Sequence, residues 1–276
     1  MKLFAVMMIA NESDIIEYTI RHLFSQGIDG IIVCDHMSTD ATPDILRAIQ
    51  QDDPRLWVVN HTEPAFYQGK ILTSLANIAY AAGAEWVFGC DADELWYPFD
   101  QTKTVRQILE ETDVQCVGAP MWNHYCTSED TGEHNPFWRI RYRHIDQNPL
   151  DKCAVRFKPG MVIDEGNHRI LPATGPSMSG VSCGLGIRHF SARDETIFVR
   201  KSVLAGNRLN QTTLNPGIGA HVRQYAQTVA DHGEEALRQH YQKWFTFDLK
   251  ANPDAPLIYD PAPYTGGPIS CTPSAL

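Results

Sequence analysis

Over roughly the first 120 residues, short apolar runs alternate with amphipathic stretches, and this alternation constrains the fold more than any other feature. Residues 3–9 are continuously apolar, as a strand covered on both faces must be. Ser13 is placed to cap a following helix in which Ile16, Ile20, Leu23 and Phe24 share one face, with Gly27 as its C-terminal stop. Residues 31–34 read as a second strand. Thr42-Pro43 reads as a capped helix start, and 56–59 as a third strand. Residues 70–82 form an Ala-rich helix pattern ended by Gly83, and 86–90 a fourth strand. A helix over 104–111 and a strand over 114–121 complete the series. The expected class is α/β, with a mostly parallel, Rossmann-like central sheet flanked by helices.

Beyond Trp122 the pattern becomes irregular. Strands are expected over 137–143 and 154–157, and helices over 195–206, 219–230 and 234–245. No break in composition separates a second domain. Residues 1–250 are read as one domain, with 1–121 holding the ligand half and 122–250 the second half, followed by a Pro/Gly-rich tail over 251–276. Gly266-Gly267 lies in that tail, which is expected to wrap the surface or hang loose.

Composition removes several function classes. Lys plus Arg number 23 against 33 Asp plus Glu, a net charge of −10, so no nucleic-acid-coating role is expected. The 7 cysteines are widely spaced and include no C-x-x-C, which points to a reducing compartment and not to a disulfide frame or zinc knuckle. No apolar run approaches the about 20 residues of a membrane span, and the first strand lacks a cleavage-site pattern.

The strongest chemical signal is Asp91-Ala92-Asp93-Glu94, directly after the fourth strand. In an extended chain Asp91 and Asp93 point the same way, toward the sheet edge where open α/β folds bind ligands. Two close carboxylates repel unless a cation lies between them, and Mg²⁺ or Mn²⁺ suits such oxygen donors and would also hold a diphosphate. Asn11-Glu12 after the first strand and Asp35-His36-Met37-Ser38-Thr39-Asp40 after the second emerge at the same edge. Asp35 is placed to accept from a nucleobase or ribose, while Ser38, Thr39 and Asp40 serve equally well as turn formers. Neither G-x-G-x-x-G after the first strand nor a P-loop is present.

Asn11-Glu12-Ser13-Asp14-Ile15-Ile16-Glu17, Gly30-Ile31-Ile32-Val33-Cys34-Asp35 with Ser38-Thr39-Asp40-Ala41-Thr42, and Trp86-Val87-Phe88-Gly89-Cys90-Asp91-Ala92-Asp93-Glu94 together resemble the family 2 glycosyltransferases. The likeness is to the bacterial subgroup with an N-E-x-D-I-I opening and a D-x-D-E motif. Gly166-Asn167-His168-Arg169 and Ile187-Arg188-His189-Phe190-Ser191-Ala192-Arg193 through Lys201 and Gly206 are similar to later blocks, so the resemblance spans roughly residues 1–210. His36 departs from the acidic or Asn residue common in that place. The resemblance implies a GT-A fold, a nucleoside diphosphate sugar donor, a divalent metal and transfer with inversion, with a UDP-linked donor expected.

Several side chains then become candidates. A metal on Asp91 and Asp93 would offset the charge of the leaving diphosphate. Asn11, Glu12, Asp35, Lys70, Ala92, Arg193 and Lys201 are expected around the donor. His189 and His168 are expected as further metal ligands. Single displacement needs one base: Glu165 is the first choice, then Asp164, with Glu94 as a third candidate or as a brace for its own loop. Trp96, Trp122 and Trp138 are either sugar platforms or core. The acceptor is expected to be a carbohydrate, a lipid-linked or a small molecule, and family analogy points to a cytoplasmic enzyme. A nucleotidyltransferase is the competing enzyme class, but the loop after the first strand lacks its Gly-rich basic character. A nucleotide- or carbohydrate-binding module without turnover is the competing non-enzyme class.

Overall fold

The computed structural model describes residues 1–178 and 180–263. Gly266-Gly267 lies outside the described residues. The opening elements are β1 (Leu3–Ile9), α1 (Ile16–Ser25), β2 (Gly30–Asp35), α2 (Thr42–Asp52), β3 (Leu56–Asn60), α3 (Gln68–Ala81) and β4 (Trp86–Gly89). Then come β5 (Glu94–Pro98), α4 (Val105–Glu110), β6 (Cys116–Ala119), β7 (Met121–Thr127), α5 (Pro136–Arg139), β8 (Tyr142–His144) and β9 (Lys152–Arg156). The chain continues through β10 (Val162–Ile163), β11 (Ile170–Leu171), β12 (Val181–Ser182) and β13 (Leu185–His189). It closes with α6 (Glu195–Leu209), α7 (Ala220–His232), α8 (Glu234–Trp244), β14 (Thr246–Phe247) and β15 (Leu257–Tyr259).

β1 explains its own composition. Leu3, Ala5, Met7 and Ile9 pack into the core shared with α1, whereas Phe4, Val6 and Met8 pack into the core shared with α3. Both faces are covered, so no polar position is tolerated in it. The main sheet runs β12-β6-β9-β4-β1-β2-β3. β4, β1, β2 and β3 are mutually parallel, and β9 enters antiparallel to both β4 and β6. On α1 the expected face is buried, with Ile16, Ile20 and Leu23 at 0% exposure. Truncating one of these to Ala costs about 2–5 kcal/mol.

A second sheet, β15-β8-β7-β13-β5 with β14 beside β7, packs against the first and carries Glu94–Pro98, the segment directly after Asp93. β15 falls within the Pro/Gly-rich C-terminal stretch, pairs antiparallel with β8, and is followed by Asp260, which accepts from Arg188. The helices α6, α7 and α8 form a third small core around Phe198, Leu237 and Tyr241. Gly206 permits the close contact of α6 with α7, since a Cβ there would lie 2.5 Å from the Ala226 methyl.

Local expectations are corrected at four places. Ser13 does not cap α1; its hydroxyl donates to Asp40 Oδ2 at 2.8 Å, and the helix begins three residues later, at Ile16, without a side-chain cap. Thr42 is the first residue of α2 and not its cap, because its hydroxyl accepts from Glu12 N while Asp40 Oδ1 accepts from Thr42 N. Residues 137–143 are not one strand: Asn135-Pro136 starts the short α5, its side chain accepting from Phe137 N, and a strand begins only at Tyr142. Residues 114–121 do not make one strand either, since the chain passes from the first sheet to the second at Pro120.

Candidate active site

β1, β2 and β4 are parallel, so the segments that follow them emerge at one edge, beside a cavity of about 370 Å³. Glu12, His36, Asp91, Ala92 and Asp93 line the cavity from that edge. Gly166 and His168, His189, and Lys201 with Arg208 on α6 supply the other walls. Asp91 and Asp93 do reach one space, but from a turn closed by Glu94 N donating to Asp91 O at 3.2 Å, not from an extended strand.

The two carboxylates differ in every contact. Asp91 Oδ1 accepts from Gln68 Nε2 at 3.0 Å, and Oδ2 lies 2.6 Å from Lys152 Nζ. Lys152 also lies 2.9 Å from Glu94 Oε1, and its side chain is 2% exposed. Glu94 turns away from the cavity, and its Oε2 accepts from Asp91 N at 3.1 Å, which braces the turn. Burial pushes the Glu94 carboxyl up to about 8, with Lys152 pulling against it. Burial alone would lower the Lys152 pKa, but Asp91 and Glu94 win and hold it well above the usual lysine range.

Asp93 faces the opposite set. Its Oδ2 lies 2.7 Å from Lys201 Nζ and 3.4 Å from Arg193 Nη1. Burial would raise its pKa, yet Lys201, His189 and Arg193 together hold it far below the usual carboxylate range. Lys201 also reaches Glu12 Oε1 at 2.8 Å. Arg193, wholly buried, joins Glu12 Oε2 at 2.6 Å and Asp14 Oδ2 at 2.5 Å. Glu12 is raised by burial despite those two cations. His189 Nδ1 donates to Asn123 Oδ1 at 2.7 Å, so the Nε2 lone pair faces Asp93 Oδ1 across 3.8 Å. Burial lowers the His189 pKa, which favours the neutral ring.

Other expected residues lie around the cavity or away from it. Asn11 adopts φ 57°, and its Oδ1 accepts from Thr39 N at 2.7 Å, tying the first loop to the second. Ala92 O accepts from Thr19 Oγ1. Asp35 accepts from Ser38 N at 3.1 Å and borders a separate cleft with Arg47 and Asn60. Lys70 is exposed beside another cleft with His61 and Tyr67. Asp164 Oδ1 accepts from His168 N and Arg169 N, and Glu165 faces the backbone N–H groups of Gly69 and Gln68. Trp96 is core, Trp122 stacks edge-on with Phe99, and Trp138 is exposed; none of them lines the cavity.

Sequence reasoning missed Lys152, Gln68, Asn123 and Arg208. Lys152 carried one signal, a cation opening the otherwise apolar strand pattern Cys153-Ala154-Val155. His36 is wholly buried, its Nε2 2.7 Å from Glu63 O and its carbonyl accepting from Arg208 at 2.7 Å. Gly89 leaves room for the buried Asn167 side chain, since a Cβ there would stand 2.1 Å from its amide.

The donor set suits a hard or borderline divalent ion. Among the described residues Asp93 Oδ1 accepts no hydrogen bond, and with His189 Nε2 it offers one carboxylate oxygen and one imidazole nitrogen. No three His, Cys, Asp or Glu side chains among the described residues converge on a metal position by themselves. A cation there would need further oxygens from a phosphate ligand or water, the usual arrangement for Mg²⁺ with nucleotides. Among the described residues no helix is long and apolar enough to cross a membrane.

A family model described as Glycosyl transferase family 2 matches residues 4–164. No curated protein matches the chain. Among solved structures, the mannosyltransferase PcManGT from Pyrobaculum calidifontis in complex with GDP-Man and Mn²⁺ is 15% identical, with TM-score 0.45, over 92% of this chain and 76% of that one. S. aureus TarS 1–349 in complex with UDP is 13% identical, with TM-score 0.38, over 83% and 72%. Glucosyl-3-phosphoglycerate synthase from Mycobacterium tuberculosis in complex with Mn²⁺, UDP and phosphoglyceric acid is 22% identical, with TM-score 0.31, over 44% and 43%.

Proposed function

Because the chain belongs to glycosyl transferase family 2, we propose that it moves a sugar from a UDP-linked donor to an acceptor hydroxyl, with inversion and with Mn²⁺ or Mg²⁺ bound. Family membership makes the chain a glycosyltransferase, and its parallel-rich sheet flanked by helices is the GT-A arrangement. The observation that carries the finer reading is the convergence of Asp93 Oδ1, His189 Nε2 and Lys201 Nζ on one cavity at the edge of the parallel strands. Asp93 and His189 would hold the metal. Asp91 is committed to Gln68 and Lys152 and would shape the turn that presents Asp93. When bound, the cation offsets charge on the departing diphosphate.

The protein's own groups do the rest. Lys201, 26% exposed and in the cavity, is placed to meet a phosphate oxygen. Arg193 is fully buried and acts on Glu12, Asp14 and Asp93 from behind. His168, beside Gly166 in the wall, would contact the donor. Glu165 stays the proposed base: it is half-buried, adjoins Gly166, and burial raises its pKa, which makes its carboxylate a stronger proton acceptor. Asp164 and Glu94 are held by Arg169 and Lys152. The acceptor, a carbohydrate, lipid-linked or small hydroxyl compound, would approach from the half after residue 122.

The test is nucleotide release from a panel of UDP-sugars with Mn²⁺ and candidate acceptors. Release that needs metal and falls at least roughly a hundredfold in Asp93→Asn supports the reading. Release unaffected by EDTA or by that substitution removes it. Glu165→Gln should lower turnover without weakening UDP binding, and unchanged turnover rejects Glu165 as the base.

A further inference from the structure

Lys201 is held by two carboxylates, yet it is not confined. Its ammonium sits 2.7 Å from Asp93 Oδ2 and 2.8 Å from Glu12 Oε1, and its side chain remains 26% exposed on a cavity wall. The neighbouring cations are fixed: Arg193 is 0% exposed among three carboxylates, and Lys152 is 2% exposed. One residue earlier on α6, Arg200 donates to Asn11 O at 3.1 Å and pins the helix to the first loop. The helix can therefore stay in place while a flexible four-carbon stem swings.

Resting on the reading above, we propose that Lys201 is a placeholder cation: in the free protein it neutralises Asp93 and Glu12, and on donor binding it moves to the diphosphate. A positive charge on Asp93 Oδ2 opposes a divalent ion at Oδ1, because like charges so close repel in a site of low polarisability. A diphosphate reverses this by drawing the ammonium off the carboxylates. Lys201 therefore weakens metal binding without nucleotide and strengthens nucleotide binding with metal. Cation and nucleotide are coupled through one side chain, and the coupling acts equally in both directions.

The experiment measures binding, not turnover. Mn²⁺ alone, and UDP in the presence of Mn²⁺, are titrated into the full chain by calorimetry, with free Mn²⁺ also followed by its paramagnetic resonance. Lys201→Met should bind Mn²⁺ alone roughly tenfold more tightly and UDP with Mn²⁺ roughly tenfold more weakly. Lys201→Gln, which keeps a polar group without charge, should move both affinities the same way, and it serves if the Met variant fails to fold. Lys201→Arg should leave Mn²⁺ affinity near that of the native chain. Unchanged or weaker Mn²⁺ binding in both neutral variants overturns the placeholder role while leaving the metal site standing. A native chain whose UDP binding ignores Mn²⁺ overturns both.

Discussion

Two lysines each bridge a pair of carboxylates beside the same cavity, and their surroundings set them to opposite tasks. Lys152 opens β9, is 2% exposed and joins Asp91 to Glu94 beneath the turn. Lys201 lies on α6, is 26% exposed and joins Asp93 to Glu12 at the surface of the cavity. The first pair of contacts cannot open without leaving charge buried, so it behaves as scaffold. The second can exchange partners with a ligand because its ammonium already borders the cavity, while Arg193 stays on Asp93 and Glu12. Identical chemistry thus gives a fixed strut or a mobile contact, and burial decides which.

The largest test breaks the strut. Lys152→Met strands the Asp91 charge and leaves the buried Glu94 carboxyl without its ammonium partner, and should cost about 3–5 kcal/mol in urea unfolding. Adding Asp91→Asn should recover a large share, because it removes the stranded charge. A Lys152→Met loss no greater than that of Lys201→Met would erase the distinction. Acid gives the next effect. Behind the turn, His22 Nε2 lies 2.7 Å from Trp96 O, and burial lowers its pKa from 6.5 to about 4. The unfolded chain takes up that proton first, so this stability is intact above pH 6.5 and is lost as pH falls toward 4. The loss is about 3 kcal/mol. His22→Gln should flatten that part of the pH–stability curve, and an unaltered slope rejects the assignment. The smallest effect lies on the cavity side. His189→Ala should weaken Mn²⁺-dependent UDP binding by roughly tenfold while leaving the melting temperature close to native. A lowered melting temperature with intact binding would make His189 structural.

The same contrast explains what was legible in the residues. β1 to β4 and α1 to α3 follow local periodicity, and Asp91 to Glu94 stand out because acids directly follow a buried strand. Contacts made across sequence were hidden. Lys152 reaches Asp91 over 61 positions because β9 enters the sheet antiparallel, a pairing with no local signature. Arg193 resembles a helix-flanking surface cation until β13 and the first loop enclose it. Asp91 and Asp93 look equivalent in an extended chain, and the turn gives them different partners. Ser13 and Thr42 have capping character, yet they tie the first loop to the second instead.

The most direct check is anomalous diffraction from crystals of the full chain grown with UDP and Mn²⁺. A manganese peak between Asp93 Oδ1 and His189 Nε2, with Asp91 still on Lys152, is the predicted result. A peak ligated by Asp91 with Lys152 displaced, or no peak beside Asp93, would contradict it.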